Sequence, residues 1–586
     1  MSNKVRNWRG FLLDLQEVIL ATYYSIKYYQ LMTYKREDIG MKKIWYVALF
    51  FCILFNFFTF GITAEKTFEQ QAAGLKFAIS FTQDAHSEAL TGRVYLMLSR
   101  NNKREPRFQV RRASGIPFWG QNVEELKPGD AGIIDENSFG FPMSSISEIP
   151  PGEYYIQGFI NIYTEFKRAD GHTIWMHQDQ WEGQNWLRSP GNLYSDVKKI
   201  SINPEKKEII ELCCKNVIPP VTIPANTKWV KHIKFQSNLL SDFWGQPMYL
   251  GATILLPEGY EENPQKSYPV NYIQGHFSLR APYGFREDDP GEKNLWRRRG
   301  YEFYEFWTSD ECPRMIAVTF QHPSPFYDDA HAMNSPNLGP YGDAVMQELI
   351  PFIEESFRVI RKPYARVLSG GSTGGWISMA LQIFHPDFFG GTFSLCPDAL
   401  DFRAHQIVNI YKDKNAYYKD YDWLRVERPD LRRPNGDIVE MMKDENFYEL
   451  AVGDKCRSGG QWEIYMACYG PVGEDGYPKQ LWDKLTGEID PGVAQYWKEH
   501  FDLRYYLEEN WSEIGPKLKG KLHIYVGDMD SYYLNNAVKY MEEFLESTKD
   551  PYYSGVVEYG DGKPHCWGPG GRELIKLMAA YIEKNK

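Results

Sequence analysis

The 586-residue sequence lacks an excess of positive charge: 66 Lys plus Arg stand against 77 Asp plus Glu, for a formal net charge of -11. A surface that repels phosphate overall excludes a general nucleic-acid binder. Cysteine is scarce as well. Eight residues in so long a chain do not make a disulfide scaffold, and none of their spacings resembles a zinc site. Cys456 and Cys468 are candidates for a pair in an oxidising compartment, with free buried thiols as the alternative. No internal repeat or low-complexity segment interrupts a composition of 43% hydrophobic and 24% charged residues, which is that of a globular protein.

Only one long apolar run is present, Ile44 to Phe60. It follows Met41-Lys42-Lys43 and ends at Ile62-Thr63-Ala64-Glu65, the layout of a secretory signal. The expectation is a signal peptide over 41–64 with Met41 as the true start, which makes 1–40 a doubtful upstream segment. The protein is then secreted or periplasmic, with no stable membrane insertion after cleavage. Left uncleaved, the run approaches the length of a membrane anchor.

Residues 65–222 read as a β-sandwich domain. Leu75 to Phe81, Gly92 to Leu98 and Gly152 to Tyr163 alternate apolar and polar residues and are punctuated by Gly, Pro and Asn. Ile218-Pro219-Pro220-Val221 supplies a stiff linker. From 223 to 586 strands alternate with helices, which predicts a mostly parallel α/β sheet. Strands are expected near Tyr249–Leu256, Val270–Ile273, Met315–Phe320, Ala365–Leu368, Gly391–Leu395, Leu522–Val526 and Val556–Tyr559, with helices at Gly342–Phe357 and Arg572–Ile582. Residues 398–518, rich in Tyr, Trp and charge, read as a lid-like insertion.

One segment carries the chemistry: Val367-Leu368-Ser369-Gly370-Gly371-Ser372-Thr373-Gly374-Gly375-Trp376. It holds Gly-x-Ser-x-Gly between an apolar strand and a helix-forming run, the context of a nucleophile elbow. Gly370 and Gly374 are required because side chains there would collide in the sharp turn. No Gly-Lys-Ser/Thr ending makes it a phosphate loop. A serine needs a base and an orienting acid, here in the order Ser, Asp/Glu, His. Of the five histidines after Ser372, His565 alone lies in a loop between the last strand and the last helix. Asp530, after Gly527-Asp528-Met529, is the expected acid and Asp528 the alternative. The oxyanion hole is expected from the amide of Thr373 and from the loop Gly275-His276-Phe277. Asp398, Asp401 and Arg403 are read as cleft lining or as salt-bridged caps, and Trp175, Trp181 and Trp186 as a sugar platform or core.

These motifs, with Tyr268 to Gly275, Gln347 to Glu354 and Pro564-His565-Cys566-Trp567, make residues 240–586 resemble the putative-esterase branch of the α/β-hydrolase superfamily. That branch includes esterase D-like, feruloyl-esterase-like and enterochelin-esterase-like enzymes. The resemblance implies a Ser-Asp-His triad on Ser372, Asp530 and His565, no cofactor and no metal. It departs in Gln274-Gly275, where relatives usually have His-Gly, and in the long insertion. The expected function is a secreted carboxylic ester hydrolase acting through an acyl-enzyme on a small-molecule or polysaccharide-linked ester. The alternative is a hydrolase-fold binding or surface-assembly protein without activity. The signal reading makes a direct prediction: intact-mass analysis of the exported protein gives an N-terminus following Ala64, and a mature chain starting at Met1 overturns it.

Overall fold

The computed structural model describes residues 74–291 and 294–586, which fall in one compact unit, Ala72–Lys586. The doubtful segment 1–40 and the signal-like segment 41–64 lie outside the described residues. Among the described residues no helix is long and apolar enough to cross a membrane.

The C-terminal part is built on an eight-stranded sheet: β1 Val230–Ser237, β2 Met248–Leu255, β3 Val270–Gln274, β4 Ile316–Gln321, β5 Arg366–Gly371, β6 Gly391–Leu395, β7 Leu522–Gly527 and β8 Val556–Gly560. The strand order is β1-β2-β4-β3-β5-β6-β7-β8. β1 and β2 are antiparallel to their neighbours, and every pairing from β4 to β8 is parallel. β3, β5 and β6 are buried over almost their whole length, as strands covered on both faces must be. The α/β reading therefore holds, and β1 is the strand that the sequence pattern did not single out.

Parallel register decides where function can sit. Gln274 pairs with Gly370, Gly371 with Leu395 and Gly527 with Gly560. The loops beginning at 275, 372, 396, 528 and 561 consequently leave the sheet along one carboxyl edge, the place where open α/β sheets hold their ligands. Helix α1, Thr373–Phe384, follows β5, and α4, Gly571–Lys584, closes the chain.

The N-terminal part is strand-rich, as its alternating pattern predicts. Apart from the ribbon Thr164–Lys167 with Thr173–Met176, its strands join one nine-stranded sheet, in which Lys76–Phe81 runs parallel to Ile209–Val217. Its side chains share one core: Phe77 and Ile79 of the first strand and Leu212 of the last meet Val94, Leu96, Ile156 and Ile160. The close approach depends on Gly158, where an added Cβ would lie 3.2 Å from Leu212 and 3.3 Å from Ile79.

The insertion is not a separate cover. Trp462, Trp482 and Trp497 are fully buried and belong to the same core as β2, β3 and α1. Its last helix, α3 (Leu503–Leu518), packs against α1. The insertion also grips the N-terminal sheet: Tyr95 Oη donates to the Val452 carbonyl at 2.5 Å. Arg93, 4% exposed, donates to the carbonyls of Gly120 at 3.0 Å and Ala451 at 3.1 Å and to Asn122 at 2.8 Å. Trp186 stacks on Tyr95 with centroids 4.5 Å apart, as part of the packed core.

Arg93→Met keeps the apolar stem and strips the donors, leaving buried carbonyls unsatisfied. Urea unfolding should show a loss of roughly 2–4 kcal/mol; an unchanged midpoint would mean this contact does not hold the two parts together.

Candidate active site

The strand-to-helix turn at the end of β5 is sharp. Ser372 has φ 58° and ψ −124°, a conformation that L-residues adopt only under constraint. The constraint is close packing on the end of β3. A Cβ at Gly374 would lie 2.1 Å from the Gln274 carbonyl oxygen, and one at Gly370 would lie 2.3 Å from that of Gly374. Both glycines are thus sterically required, as the motif predicts. Gly275 is different: an added Cβ there meets nothing within 4 Å.

Ser372 Oγ lies 3.1 Å from His565 Nε2, and His565 Nδ1 lies 2.8 Å from Asp530 Oδ2. Asp530 is fully buried. Its other oxygen accepts from the amides of Tyr532 at 2.9 Å and Leu534 at 3.3 Å, which leaves Oδ2 for the imidazole. With the Nδ1 proton donated to Asp530, Nε2 is the lone-pair nitrogen facing the hydroxyl. Three residues separated by up to 193 positions therefore meet in the geometry of a proton relay. Asp528 does not take part; its Oδ1 is buried without a hydrogen-bond partner.

Of the two readings given for Asp398, the structure supports cleft lining, and it adds Tyr465 and Gln461, which the sequence did not assign. Asp398 is 4% exposed. Its Oδ1 lies 3.3 Å from Ser372 Oγ, and its Oδ2 accepts from Thr373 Oγ1 at 2.8 Å and Tyr465 Oη at 2.7 Å. Gln461, at the start of α2 (Gln461–Tyr469), donates to Thr373 Oγ1 at 3.1 Å and accepts from Tyr327 Oη at 2.6 Å. The insertion thus supplies a polar brace on the side of the serine opposite the imidazole. Asp398 follows the end of β6 directly, so its place at the edge was readable; Tyr465 and Gln461 carry no signal in sequence.

Cys396 and Cys566 form a disulfide. It joins the end of β6 to the residue after His565, beside Gly371. The candidate pair Cys456 and Cys468 is instead two free, buried thiols, their burial raising both pKa values. Tyr532 meets the His565 ring edge-on with centroids 4.9 Å apart.

Thr373 opens α1, so its amide is among the first-turn N–H groups without an intrahelical acceptor. The loop 275–277 starts at the strand end that touches the elbow, and Phe277 packs edge-on against Trp181 of the N-terminal part, centroids 5.1 Å apart. The His276 side chain points to an acidic pair, Nδ1 lying 3.0 Å from Asp328 Oδ1 and 3.2 Å from Asp329 Oδ2. Burial opposes a proton on this imidazole, but hydrogen bonds to Asp328 and Asp329 hold its pKa well above the usual value. Asp401 is bound by Arg403 and lies 3.6 Å from Arg504, which is the cap reading. Trp181 and Trp186 are core residues, and Trp175 is half-buried.

The elbow sets up a prediction. Gly374→Ala forces the Gln274 carbonyl away and should cost more than about 3 kcal/mol in chemical unfolding, beyond typical single substitutions. A neutral variant would mean the turn relaxes without the contact.

Residues 248–445 match the family described as Putative esterase. No curated protein matches the chain. Among solved structures, a ferulic acid esterase is 16% identical and covers 61% of this chain and 98% of its own, with a TM-score of 0.35. A fluorophosphonate-binding serine hydrolase of Staphylococcus aureus is 14% identical, covering 60% and 98%, with a TM-score of 0.32. An S-formylglutathione hydrolase from Agrobacterium tumefaciens is 13% identical, covering 62% and 96%, with a TM-score of 0.30. Over residues 248–445, then, the chain is similar to the putative-esterase family that its motifs resemble.

Proposed function

We propose that the protein is a serine hydrolase of carboxylic esters, with Ser372 as nucleophile, His565 as general base and acid, and Asp530 as the orienting carboxylate. The observation that carries this reading is the 3.1 Å and 2.8 Å relay from Ser372 through His565 to Asp530, set at a strained elbow. In the forward step His565 Nε2 takes the Ser372 proton as Oγ bonds to the acyl carbon. The Asp530 carboxylate stabilises the imidazolium, which then protonates the leaving alkoxide. Water repeats the sequence on the acyl-enzyme and returns free acid and free serine. The amide of Thr373 and those of the 275–277 loop are the donors for the oxyanion. Asp398, braced by Tyr465 and Thr373, is the alternative acceptor for the serine proton at 3.3 Å, against the shorter 3.1 Å approach to His565.

The disulfide beside His565 supports export, because such bonds persist in oxidising compartments. A cavity of about 490 Å³ supports a polar alcohol portion in the substrate, such as a sugar hydroxyl. Arg112, Ser144, Glu440, Lys443 and Asp444 are among its lining residues. Its lining holds none of the relay residues; Arg112 reaches toward them only through Tyr532, with Nη2 3.5 Å from the hydroxyl of the ring that contacts His565.

A fluorophosphonate probe should label the wild type and not Ser372→Ala, and nitrophenyl-acetate turnover should fall with it. By analogy with other triads, Ser372→Ala and Asp530→Asn should each lower kcat on the order of 10⁴-fold or more, with Asp528→Asn close to wild type. No labelling and no turnover of an ester panel by the wild type would favour a binding protein on a hydrolase fold. Labelling that depends on Asp528 but not Asp530 would overturn the acid assignment.

A further inference from the structure

We propose that His276, Asp328 and Asp329 form a binding site for one divalent cation of the zinc class, beside the relay and independent of it.

The imidazole nitrogen already stands at ligand spacing from both carboxylates. His276 Nδ1 is 3.0 Å from Asp328 Oδ1 and 3.2 Å from Asp329 Oδ2, and all three atoms lie within 4.8 Å of one another. Donors bound to zinc at about 2.0–2.2 Å are about 2.9–3.5 Å apart at octahedral or tetrahedral angles. Hydrogen bonding within the trio does not satisfy it. One Nδ1–H serves one acceptor, and its hydrogen bond goes to Asp328 Oδ1. Asp329 is 1% exposed, and among the described residues its Oδ2 is met only by the second, longer approach of that same nitrogen at 3.2 Å. A cation bound by all three atoms satisfies each of them at once.

The surroundings fit a metal as well. The other oxygen of Asp329 is held by the His331 amide at 3.0 Å and faces the His331 ring nitrogen at 3.2 Å. That is the outer support a ligating carboxylate needs to keep its orientation. On the opposite side the His276 side chain is 45% exposed and that of Asp328 23%. Three protein ligands with two of them reachable from solvent would make an exchangeable site, its remaining positions filled by water or an anionic oxygen. One imidazole with two carboxylates favours zinc or manganese over calcium, which takes oxygen ligands only. Bound there, the ion would tie the 275–277 loop to the 328–331 loop next to the elbow.

The test uses the full chain, stripped with a chelator and titrated with Co²⁺, then competed with Zn²⁺. One equivalent of Co²⁺ should bind with visible absorption, Zn²⁺ should displace it, and Zn²⁺ should raise the thermal midpoint. In Asp328→Asn and His276→Ala, both at accessible positions, affinity should fall ten- to hundred-fold. Ser372→Ala should bind as the wild type does, which separates this site from the hydrolase assignment. The double variant Cys396→Ser/Cys566→Ser should also retain binding; with their disulfide reduced, these two residues and His565 would be a competing thiolate-imidazole cluster. Absence of stoichiometric binding would overturn the proposal, as would binding unaffected by both ligand variants or lost only in the cysteine variant.

Discussion

The site rests on one steric constraint: the backbone of the β5–α1 turn lies directly on the carbonyl of Gln274 at the end of β3. That contact leaves no room for a Cβ at 370 or 374, and it holds Ser372 at φ 58°. The hydroxyl is thereby lifted above the sheet edge, and the free amides of the first turn of α1 stay beside it. If the two strand ends were a single ångström further apart, the serine could relax into ordinary helix geometry and turn away from His565.

Around this point the protein brings together pieces from across the chain. The turn after β7 carries the buried Asp530, and the loop after β8 presents His565. Arg432 of the insertion donates to the Asp530 carbonyl at 2.9 Å, and the disulfide fastens the residue after His565 to β6. A loop rich in Gly and Pro would otherwise lose part of its precision to chain entropy; covalent and hydrogen-bonded anchors on both sides limit that loss. The brace formed by Asp398, Tyr465 and Thr373 does the same beside the serine. The insertion accordingly belongs to the frame of the site, and its buried tryptophans explain why it packs as core instead of opening as a flap.

The N-terminal sheet has a related role. Trp181 supports Phe277 in the loop that adjoins the elbow, and Arg93 and Tyr95 hold the end of the insertion helix that leads to α2. Arg112 salt-bridges Glu440 and Glu445 of the insertion and meets Tyr532. The polar cavity therefore has walls from both parts of the chain.

Local chemistry determined much of this without coordinates. Apolar runs of strand length declared the parallel strands, since a strand covered on both faces must be apolar throughout, and Gly-x-Ser-x-Gly declared the elbow because no other residues fit its backbone. Chain order and a loop position picked out His565, and Gly527-Asp528-Met529-Asp530 narrowed the acid to two candidates. The rest depended on distances that no local pattern encodes. Asp530 rather than Asp528 faces the imidazole because the turn after β7 directs one carboxylate inward and leaves the other behind. Asp398, Tyr465 and the Cys396–Cys566 bond were decided by which loops share the sheet's carboxyl edge. The single nine-stranded N-terminal sheet came from a parallel pairing of first and last strands, a contact between segments more than a hundred residues apart. Periodicity records which face of a strand is buried and says nothing about its neighbour, so partnership of this kind is settled only when the whole chain is folded.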